Sequence, residues 1–325
     1  MSQPFIQIQQ LNKYFYSNKG FTKKTMQCVS AVDNVDLSIN KGDIVGLVGE
    51  SGCGKSTLGR CILRLIEPTH GTVQFAGKKV TDFNNKELKV FRKQAQIIFQ
   101  DPYTSLNPRM TVFESVVAPL DVYNIGTKKE RKEQVSATLH KVGIEEDALM
   151  RFPHEFSGGQ RQRIGIARAL ITNPSFIVCD EPVSALDVSV RAQVLNLMSD
   201  LKDEYALTYL FISHDLSVVK HISNKIAVMY LGRVVEYAST AQIFDSPMHP
   251  YTIALQSAIP KIKNSHQEKK IVLQGDVPSP YAPPSGCRFH TRCPYATKEC
   301  SQISPELTDK GDGHFVSCHH CQNRG

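Results

Sequence analysis

The sequence has no long hydrophobic run. None of its apolar stretches approaches the ~18 residues that a membrane-spanning helix needs. The opening residues, MSQPFIQIQQ, also lack the apolar centre of a signal peptide. From these absences we expect a protein that is cytosolic or docked onto separate membrane subunits.

Basic residues are not concentrated in one patch either. The net charge is +7, but the lysines and arginines are spread along the chain, with only short clusters at 128–132 and 261–270. This distribution favours solvated helix faces over a nucleic-acid surface. With 325 residues and 41% hydrophobic content, the chain can bury the core of one large domain or two modest ones.

A phosphate-binding loop is the most informative segment that is present. Residues 49–57, GESGCGKST, match the pattern GxxxxGK[ST] and follow the apolar run 44–48, which is typical of a strand buried on both faces. Glycines let such a loop point successive backbone N–H groups at an anion, and the helix beginning at Lys55 adds its positive end. Lys55 is predicted to reach the β- and γ-phosphates, and Ser56 to hold Mg²⁺. The predicted nucleotide-binding residues of this loop are Gly49, Glu50, Ser51, Gly52, Cys53, Gly54, Lys55, Ser56 and Thr57.

A second apolar strand ends in two carboxylates. Residues 176–182, FIVCDEP, place Asp180 and Glu181 at that end. At the end of this strand, Asp180 is well placed to contact Mg²⁺ indirectly. Glu181 beside it could polarise a water molecule for attack on the γ-phosphate. Acidic residues also end strands as solvated caps. A capping role alone would not explain why the carboxylate pair follows the phosphate loop at a separation in sequence of about one domain.

A third segment predicts a second anion site. Residues 157–171, SGGQRQRIGIARALI, begin with Ser157 as a natural helix N-cap, and the two glycines after it permit close backbone approach to a ligand. Apolar residues then recur at helical spacing. No second phosphate loop and no internal repeat occur in the sequence.

Together these motifs resemble the ATP-binding subunits of ABC transporters. The resemblance covers roughly residues 5–240, and it rests on the phosphate loop, FSGGQ at 156–160, the carboxylate pair, SALD at 184–187 as the D-loop and a histidine after a strand. The family more often has leucine where this chain has Phe156. Gln100, in the segment IIFQDP, matches the glutamine of the family's Q-loop.

The resemblance also implies roles for individual residues that the spacing of the motifs does not indicate by itself. Ser157 and Gly159 are implied to contact ATP bound by an opposing ATPase chain, so that two chains enclose two nucleotides. His214 is implied to hold the γ-phosphate and the attacking water, and Gln100 to touch Mg²⁺ and report the nucleotide state to membrane subunits. A histidine that merely ends a strand is the alternative for His214.

An aromatic residue near the first strand is expected from the family to stack on adenine. Tyr14, Phe15 and Tyr16 compete for this role, and the register relative to the strand Ile6 to Leu11 favours Phe15; any of them could equally pack in the core. The predicted catalytic residues are Glu181, His214 and Gln100, and the predicted nucleotide contacts outside the loop are Phe15, Asp180, Ser157, Gly159, Gln160 and Asp187.

The predicted fold is an α/β P-loop ATPase of the ABC type, with a parallel core sheet, an antiparallel β subdomain, a helical insert and a small cysteine-rich extension. Antiparallel strands are expected over 5–48, with a polar loop near Ser17 to Thr25, and the parallel core over 49–99 and 172–215. The insert, about residues 101–170, is too short for the coiled coil of repair ATPases. A hairpin is expected around Gly232-Arg233.

The composition changes after about residue 240. The predicted ATPase domain, 1–240, is followed by a proline-rich extension, 241–325, that holds five of the nine cysteines. In a reducing compartment, cysteines in a segment too poor in apolar residues to fold alone favour a metal centre over disulfides, and spacing does not choose between zinc and an iron–sulfur cluster. Unligated thiols in a loose tail are the alternative. Distance in sequence from the phosphate loop argues for a structural or docking role of the tail rather than one in hydrolysis.

The tail narrows the family. The segments HPYTIALQSAIP, at 249–260, and GDVPSPYAPPSGCRFHTRCPYATKEC, at 275–300, resemble the C-terminal region of the ATPase subunits of oligopeptide, dipeptide and nickel importers. In that group the matching cysteines are implied to bind a 4Fe-4S cluster, while Cys321 with two adjacent histidines leaves zinc as the alternative. The implied cluster ligands are Cys287, Cys293, Cys300 and Cys318.

The resemblance implies an ATP-hydrolysing subunit that drives import of di- or oligopeptides, peripheral on the cytoplasmic face of the inner membrane. Implied partners are a second ATPase chain, usually a different one, two integral membrane permease subunits and an extracytoplasmic substrate-binding protein, with no nucleic acid. Import of nickel or another small solute is the alternative within the group. A soluble ABC ATPase would need a coiled coil or tandem ATPase halves, and a nucleic-acid binder would need more than Arg288, Arg292 and Tyr295 in the tail.

Overall fold

The computed structural model describes residues 3–18, 26–259, 271, 273 and 275–321. Most of the predicted polar loop near Ser17 to Thr25 therefore lies outside the described residues, as does the basic cluster at 261–270. Compact packing divides the chain into two units. The first comprises residues 1–40, 44–81 and 213–325, and the second comprises 41–43 and 82–212.

Strands and helices alternate along much of the chain. The strands are β1 (Ile6–Asn18), β2 (Met26–Ile39), β3 (Ile44–Val48), β4 (His70–Phe75), β5 (Lys78–Lys79), β6 (Ala95–Ile98), β7 (Phe176–Asp180), β8 (Thr208–Ser213), β9 (Lys225–Tyr230), β10 (Arg233–Ser239), β11 (Thr308–Asp309) and β12 (Phe315–Val316). The α-helices are α1 (Lys55–Ile62), α2 (Asn85–Gln94), α3 (Pro102–Ser105), α4 (Val112–Val122), α5 (Lys128–Lys141), α6 (Gly158–Leu170), α7 (Val188–Tyr205), α8 (Leu216–Ile222), α9 (Thr240–Asp245), α10 (Pro250–Ser257) and α11 (Lys298–Gln302).

The first unit contains an antiparallel sheet in the order β2-β1-β4-β5. Ile6 of β1 pairs with Ile39 of β2 on one side and with Phe75 of β4 on the other. The assignment of β4 and β5 to the parallel core, implied by the predicted range 49–99, was therefore wrong. The alternation in β4 explains the difference, because Val73 and Phe75 are buried while Gln74 between them is only half-buried. Such a pattern is typical of a sheet with one wet face.

A second set of strands in the first unit carries the phosphate loop. All five residues of β3 are buried, and β3 runs parallel to β9. β9 and β10 form the predicted hairpin through Leu231 and Gly232, whose φ angles of 42° and 85° are both positive. Two positive φ values are what a tight two-residue hairpin turn requires.

Two kinds of contact attach the proline-rich tail to this unit. One is pairing between strands, and the other is a set of hydrogen bonds to one buried carboxylate. β12 pairs antiparallel with β10, so that Phe315 lies opposite Tyr237. Glu236 of β10 is fully buried and accepts hydrogen bonds from the backbone N–H groups of Met248, at 2.7 Å, and His249, at 3.0 Å. The His314 imidazole lies 2.7 Å from the same carboxylate. A buried carboxylate held by several donors is stable there, whereas an unpaired one is costly.

The second unit holds three parallel strands and the helical insert. β6, β7 and β8 are neighbours in that order. Capping boxes begin α4 at Thr111 and α5 at Thr127, where a glutamate three residues later returns the hydrogen bond. Within the described part of the chain, no helix has both the length and the apolar character to cross a membrane.

Candidate nucleotide-binding and catalytic site

The phosphate loop lies between β3 and α1, as predicted, and the backbone packs tightly around it. Gly54 caps α1 with a φ of 105°, and a Cβ added there would lie 1.9 Å from the carbonyl oxygen of Ala31. At Gly49 an added Cβ would lie 2.1 Å from the carbonyl oxygen of Met229. Both positions therefore require glycine, and the loop is held by neighbouring backbone.

Lys55 is the first residue of α1, and its side chain folds back into the loop. It is only 4% exposed, and its Nζ donates to the carbonyl oxygens of Gly49, at 2.7 Å, and Glu50, at 3.0 Å. Ser56 and Thr57 follow it in the first turn and are half-buried. A lysine ammonium at a helix N-terminus of this kind attracts phosphate.

Two predicted catalytic residues lie in contact within the second unit. Gln100 follows β6, and its amide Nε2 donates to Oε2 of Glu181 at 3.2 Å. Asp180 ends β7 and is 1% exposed. Glu181 has a φ of 48°, and its N–H donates to the carbonyl of Ile212 at 3.1 Å. A left-handed backbone at a non-glycine residue stores strain, which is typical of functional positions.

The predicted second anion site is the N-terminus of α6. Ser157 Oγ accepts from the N–H of Gln160 at 3.3 Å, and Gln160 Oε1 accepts from the N–H of Ser157 at 3.0 Å. Gly159 is buried, and a Cβ there would lie 2.3 Å from Cγ1 of Val190. The predicted N-cap is confirmed, and it keeps Ser157 itself on the surface.

Asp187 and His214 are both exposed. Asp187 is the N-cap residue of α7, but its carboxylate makes no capping hydrogen bond. His214 directly follows β8. Both side chains therefore face solvent, where a ligand can reach them.

The three candidate aromatic residues differ in their surroundings. The Tyr14 hydroxyl lies 3.0 Å from Asn12 Oδ1 and donates to Asp33 Oδ1 at 3.2 Å, and burial together with the Asp33 carboxylate raises the pKa of Tyr14. Phe15 is 41% exposed and Tyr16 60% exposed. Tyr14 is thus occupied in a polar network, which leaves the other two rings accessible for stacking.

The predicted iron–sulfur ligands gather in the tail, but the described residues do not support a metal site there. The N–H of Cys287 donates to the carbonyl of Cys300 at 2.8 Å. Burial, and to a lesser extent the nearby thiols of Cys300, Cys318 and Cys293, raise the pKa of the Cys287 thiol to about 11. Among the described residues, no group of three or more His, Cys, Asp or Glu side chains is placed to hold a metal ion.

Several residues at the phosphate loop were not predicted from sequence. The guanidinium of Arg292 binds the Glu50 carboxylate, and the Tyr251 hydroxyl accepts from the N–H of Glu50 at 2.9 Å. Arg288 pairs with Asp33. Arg288 and Arg292 are also the two tail arginines that were considered as support for nucleic-acid binding. In the structure, both form ion pairs with carboxylates of the same chain. No local pattern pairs Glu50 with a residue 242 positions away.

Comparison with known families agrees with the motifs. The model of the ABC transporter family matches residues 32–184. The model described as "Oligopeptide/dipeptide transporter, C-terminal region" matches residues 235–300.

Curated relatives match almost the whole chain. The oligopeptide transport ATP-binding protein AppF of Bacillus subtilis is 49% identical over 317 residues, which cover 97% of this chain and 96% of the relative. The dipeptide transport ATP-binding protein DppF of Haemophilus influenzae is 48% identical over 317 residues, covering 98% and 97%.

Solved ATPase cassettes share the fold. The dimeric structure of MJ0796, a bacterial ABC transporter cassette, has a TM-score of 0.64 at 30% identity and covers 72% of this chain and 98% of its own. A post-hydrolysis dimer of the same cassette, bound to ADP and phosphate, has a TM-score of 0.63 at 30% identity, with the same coverage.

Proposed function

The chain belongs to the ABC transporter ATP-binding proteins that carry the oligopeptide/dipeptide C-terminal region, and from this premise we propose that it hydrolyses ATP to energise import of di- or oligopeptides. One observation carries the peptide assignment. The similarity to peptide transport ATP-binding proteins extends through the tail as well as the cassette.

We propose roles for the residues of the cassette. Lys55 and the loop N–H groups bind the β- and γ-phosphates, and Phe15 stacks on adenine. Glu181 accepts a proton from the attacking water, and Gln100 orients Glu181 through the amide contact at 3.2 Å. His214, exposed after β8, contacts the γ-phosphate.

Mg²⁺ is expected to accompany ATP. The Ser56 hydroxyl and the Gln100 amide oxygen would bind it, with Asp180 in indirect contact; oxygen donors in small number suit Mg²⁺, which keeps several waters and takes its other ligands from phosphates. When bound, the ion neutralises charge on the transferred phosphoryl group.

We further propose that the chain acts with a second ATPase chain and with membrane permease subunits, on the cytoplasmic face of the inner membrane. The exposed Ser157 at the start of α6, with Gly159 and Gln160, would complete the nucleotide site of the other ATPase chain. Asp187 would contribute from the D-loop. An extracytoplasmic binding protein would deliver the peptide.

The isolated chain is expected to hydrolyse ATP slowly, because each nucleotide site needs Ser157 and Gly159 from another chain. Phosphate release should rise steeply on assembly with the second ATPase chain and the permeases. The measurement is ATPase activity per chain across a range of protein concentrations, for the isolated chain and for the assembled complex. Full activity of the isolated chain, independent of concentration, would exclude the shared site.

We also propose a thiolate-bound centre for the tail cysteines, with a 4Fe-4S cluster as the first choice and zinc as the second. Its support is the family resemblance and the gathering of Cys287 and Cys300 by a backbone hydrogen bond of 2.8 Å. Anaerobically purified chain should contain about four iron and four sulfide per chain, and Cys293→Ser should lower both. Stoichiometric zinc without iron would support the second choice, and metal-free protein with an intact fold would remove the proposal.

A further inference from the structure

The turn formed by residues 287–293 of the tail lies against the phosphate loop. Arg292 donates to both carboxylate oxygens of Glu50, from Nη1 at 3.2 and 2.9 Å and from Nη2 at 3.1 Å. The Arg292 side chain is 8% exposed and that of Glu50 is 27% exposed. A two-pronged guanidinium–carboxylate pair shielded from water fixes geometry as well as charge. The tail therefore contacts the phosphate loop despite their separation in sequence.

Glu50 connects this turn to the phosphate-binding lysine. Its N–H donates to the Tyr251 hydroxyl at 2.9 Å. Its carbonyl accepts from Lys55 Nζ at 3.0 Å and from the N–H of Cys53 at 3.2 Å. A displacement of Glu50 would therefore displace both the lysine and the N–H groups of the loop.

The turn itself is firmly anchored. Phe289 is 1% exposed, and its ring centroid lies 5.2 Å from that of Tyr230 and 5.5 Å from that of Tyr251. Arg288 hydrogen-bonds the Asp33 carboxylate and the carbonyl of Leu231. The ring packing of Phe289 and the charge pairs on either side of it restrict the movement of Arg292. The turn is therefore anchored by contacts other than the one with Glu50.

We propose that Arg292 is a positioning residue of the ATP site. Through Glu50 it holds the first half of the phosphate loop, and with it Lys55, in the arrangement that receives nucleotide phosphates. Ordering a loop before binding removes that entropy cost from the binding step. Because Arg292 acts on the loop and not on the attacking water, its effect falls on ATP affinity and not on the chemical step. The proposal rests on the proposed function, in which ATP is the ligand of this loop.

The test is ATP binding by the purified full chain, measured by titration with a fluorescent ATP analogue, together with KM and kcat of the assembled complex. Arg292→Gln should weaken binding about ten-fold and raise KM to a similar extent, while kcat stays within about two-fold. Arg292→Lys keeps the positive charge but loses the two-pronged guanidinium. Its ATP affinity should therefore lie between those of wild type and Arg292→Gln.

Two further variants separate positioning from general damage. Glu50→Gln should weaken binding as Arg292→Gln does, and the double variant should be no worse than either single one, because both break the same contact. Arg233→Gln breaks an ion pair with Asp33 in the same unit and should bind ATP as wild type does. Thermal unfolding without nucleotide checks that each variant is folded.

Either of two results would overturn the proposal. One is wild-type ATP affinity in a folded Arg292→Gln; if that variant does not fold, wild-type affinity in Glu50→Gln has the same meaning. The other is full additivity of the two single substitutions. Failure of the wild-type chain to bind the ATP analogue at all would instead contradict the proposed function, so the two failures are distinguishable.

Discussion

Glu181→Gln should leave ATP binding close to wild type and reduce ATP turnover of the assembled complex by roughly 10²–10⁴-fold, the usual contribution of a general base. Glutamine matches the shape of glutamate, and it keeps an oxygen that can accept from Gln100, now 3.2 Å from the carboxylate. It cannot accept a proton from water. The measurement is steady-state phosphate release beside equilibrium ATP binding on the same preparation.

Lys55→Ala is the matched control for this prediction. Its Nζ is buried at the loop, within 2.7 Å of the Gly49 carbonyl, so its removal should reduce ATP binding and turnover together. Near-normal hydrolysis by Glu181→Gln would mean that another group activates the water. Loss of binding in Glu181→Gln would mean that the carboxylate holds the fold or the nucleotide and does not act in the chemical step.

Gly54→Ala should abolish detectable ATP binding at concentrations that saturate the wild type. The added Cβ would lie 1.9 Å from the carbonyl oxygen of Ala31, and the φ of 105° is one that side chains rarely adopt. The carbonyl belongs to the backbone and cannot rotate away, so the loop must move. A misplacement of about 1 Å can lower a reaction rate roughly 10²-fold; here the displaced groups are the loop N–H donors and Lys55, on which ATP binding itself depends. ATP titration, with circular dichroism to confirm the fold, measures the effect.

Gly52→Ala provides the comparison within the same loop. Gly52 also has a positive φ, 79°, but an added Cβ meets nothing within 4 Å. It should therefore incur only backbone strain, about 1–2 kcal/mol, and retain measurable ATP binding. If Gly54→Ala bound ATP as well as Gly52→Ala, tight packing against Ala31 would not be what sets the loop geometry.

The parts predicted from sequence are those fixed by short-range patterns. A buried strand, a glycine-rich loop and a helix N-terminus follow one another within residues 44–62, so the position of Lys55 followed directly. Ser157 was recognisable as an N-cap because its partner Gln160 is three residues away. The Gly232 hairpin likewise depends on adjacent residues.

The parts that were missed depend on long-range pairing. β4 joins β1 rather than the parallel strands, and its alternation in burial becomes clear only once its neighbours are known. The Arg292–Glu50 pair links residues 242 positions apart. Charged residues are common on surfaces, so a single arginine in a turn gives no sequence signal that it will be buried against a particular carboxylate.

ATP-dependent peptide uptake by the reconstituted complex tests the central claim most directly. Proteoliposomes that contain this chain, its ATPase partner, the permeases and the binding protein would be supplied with labelled di- and oligopeptides, or with nickel, and with ATP on the side of this chain. Peptide accumulation that requires ATP and disappears with Glu181→Gln is the predicted result. Uptake of nickel without peptide, or peptide uptake that persists with Glu181→Gln, would contradict the account.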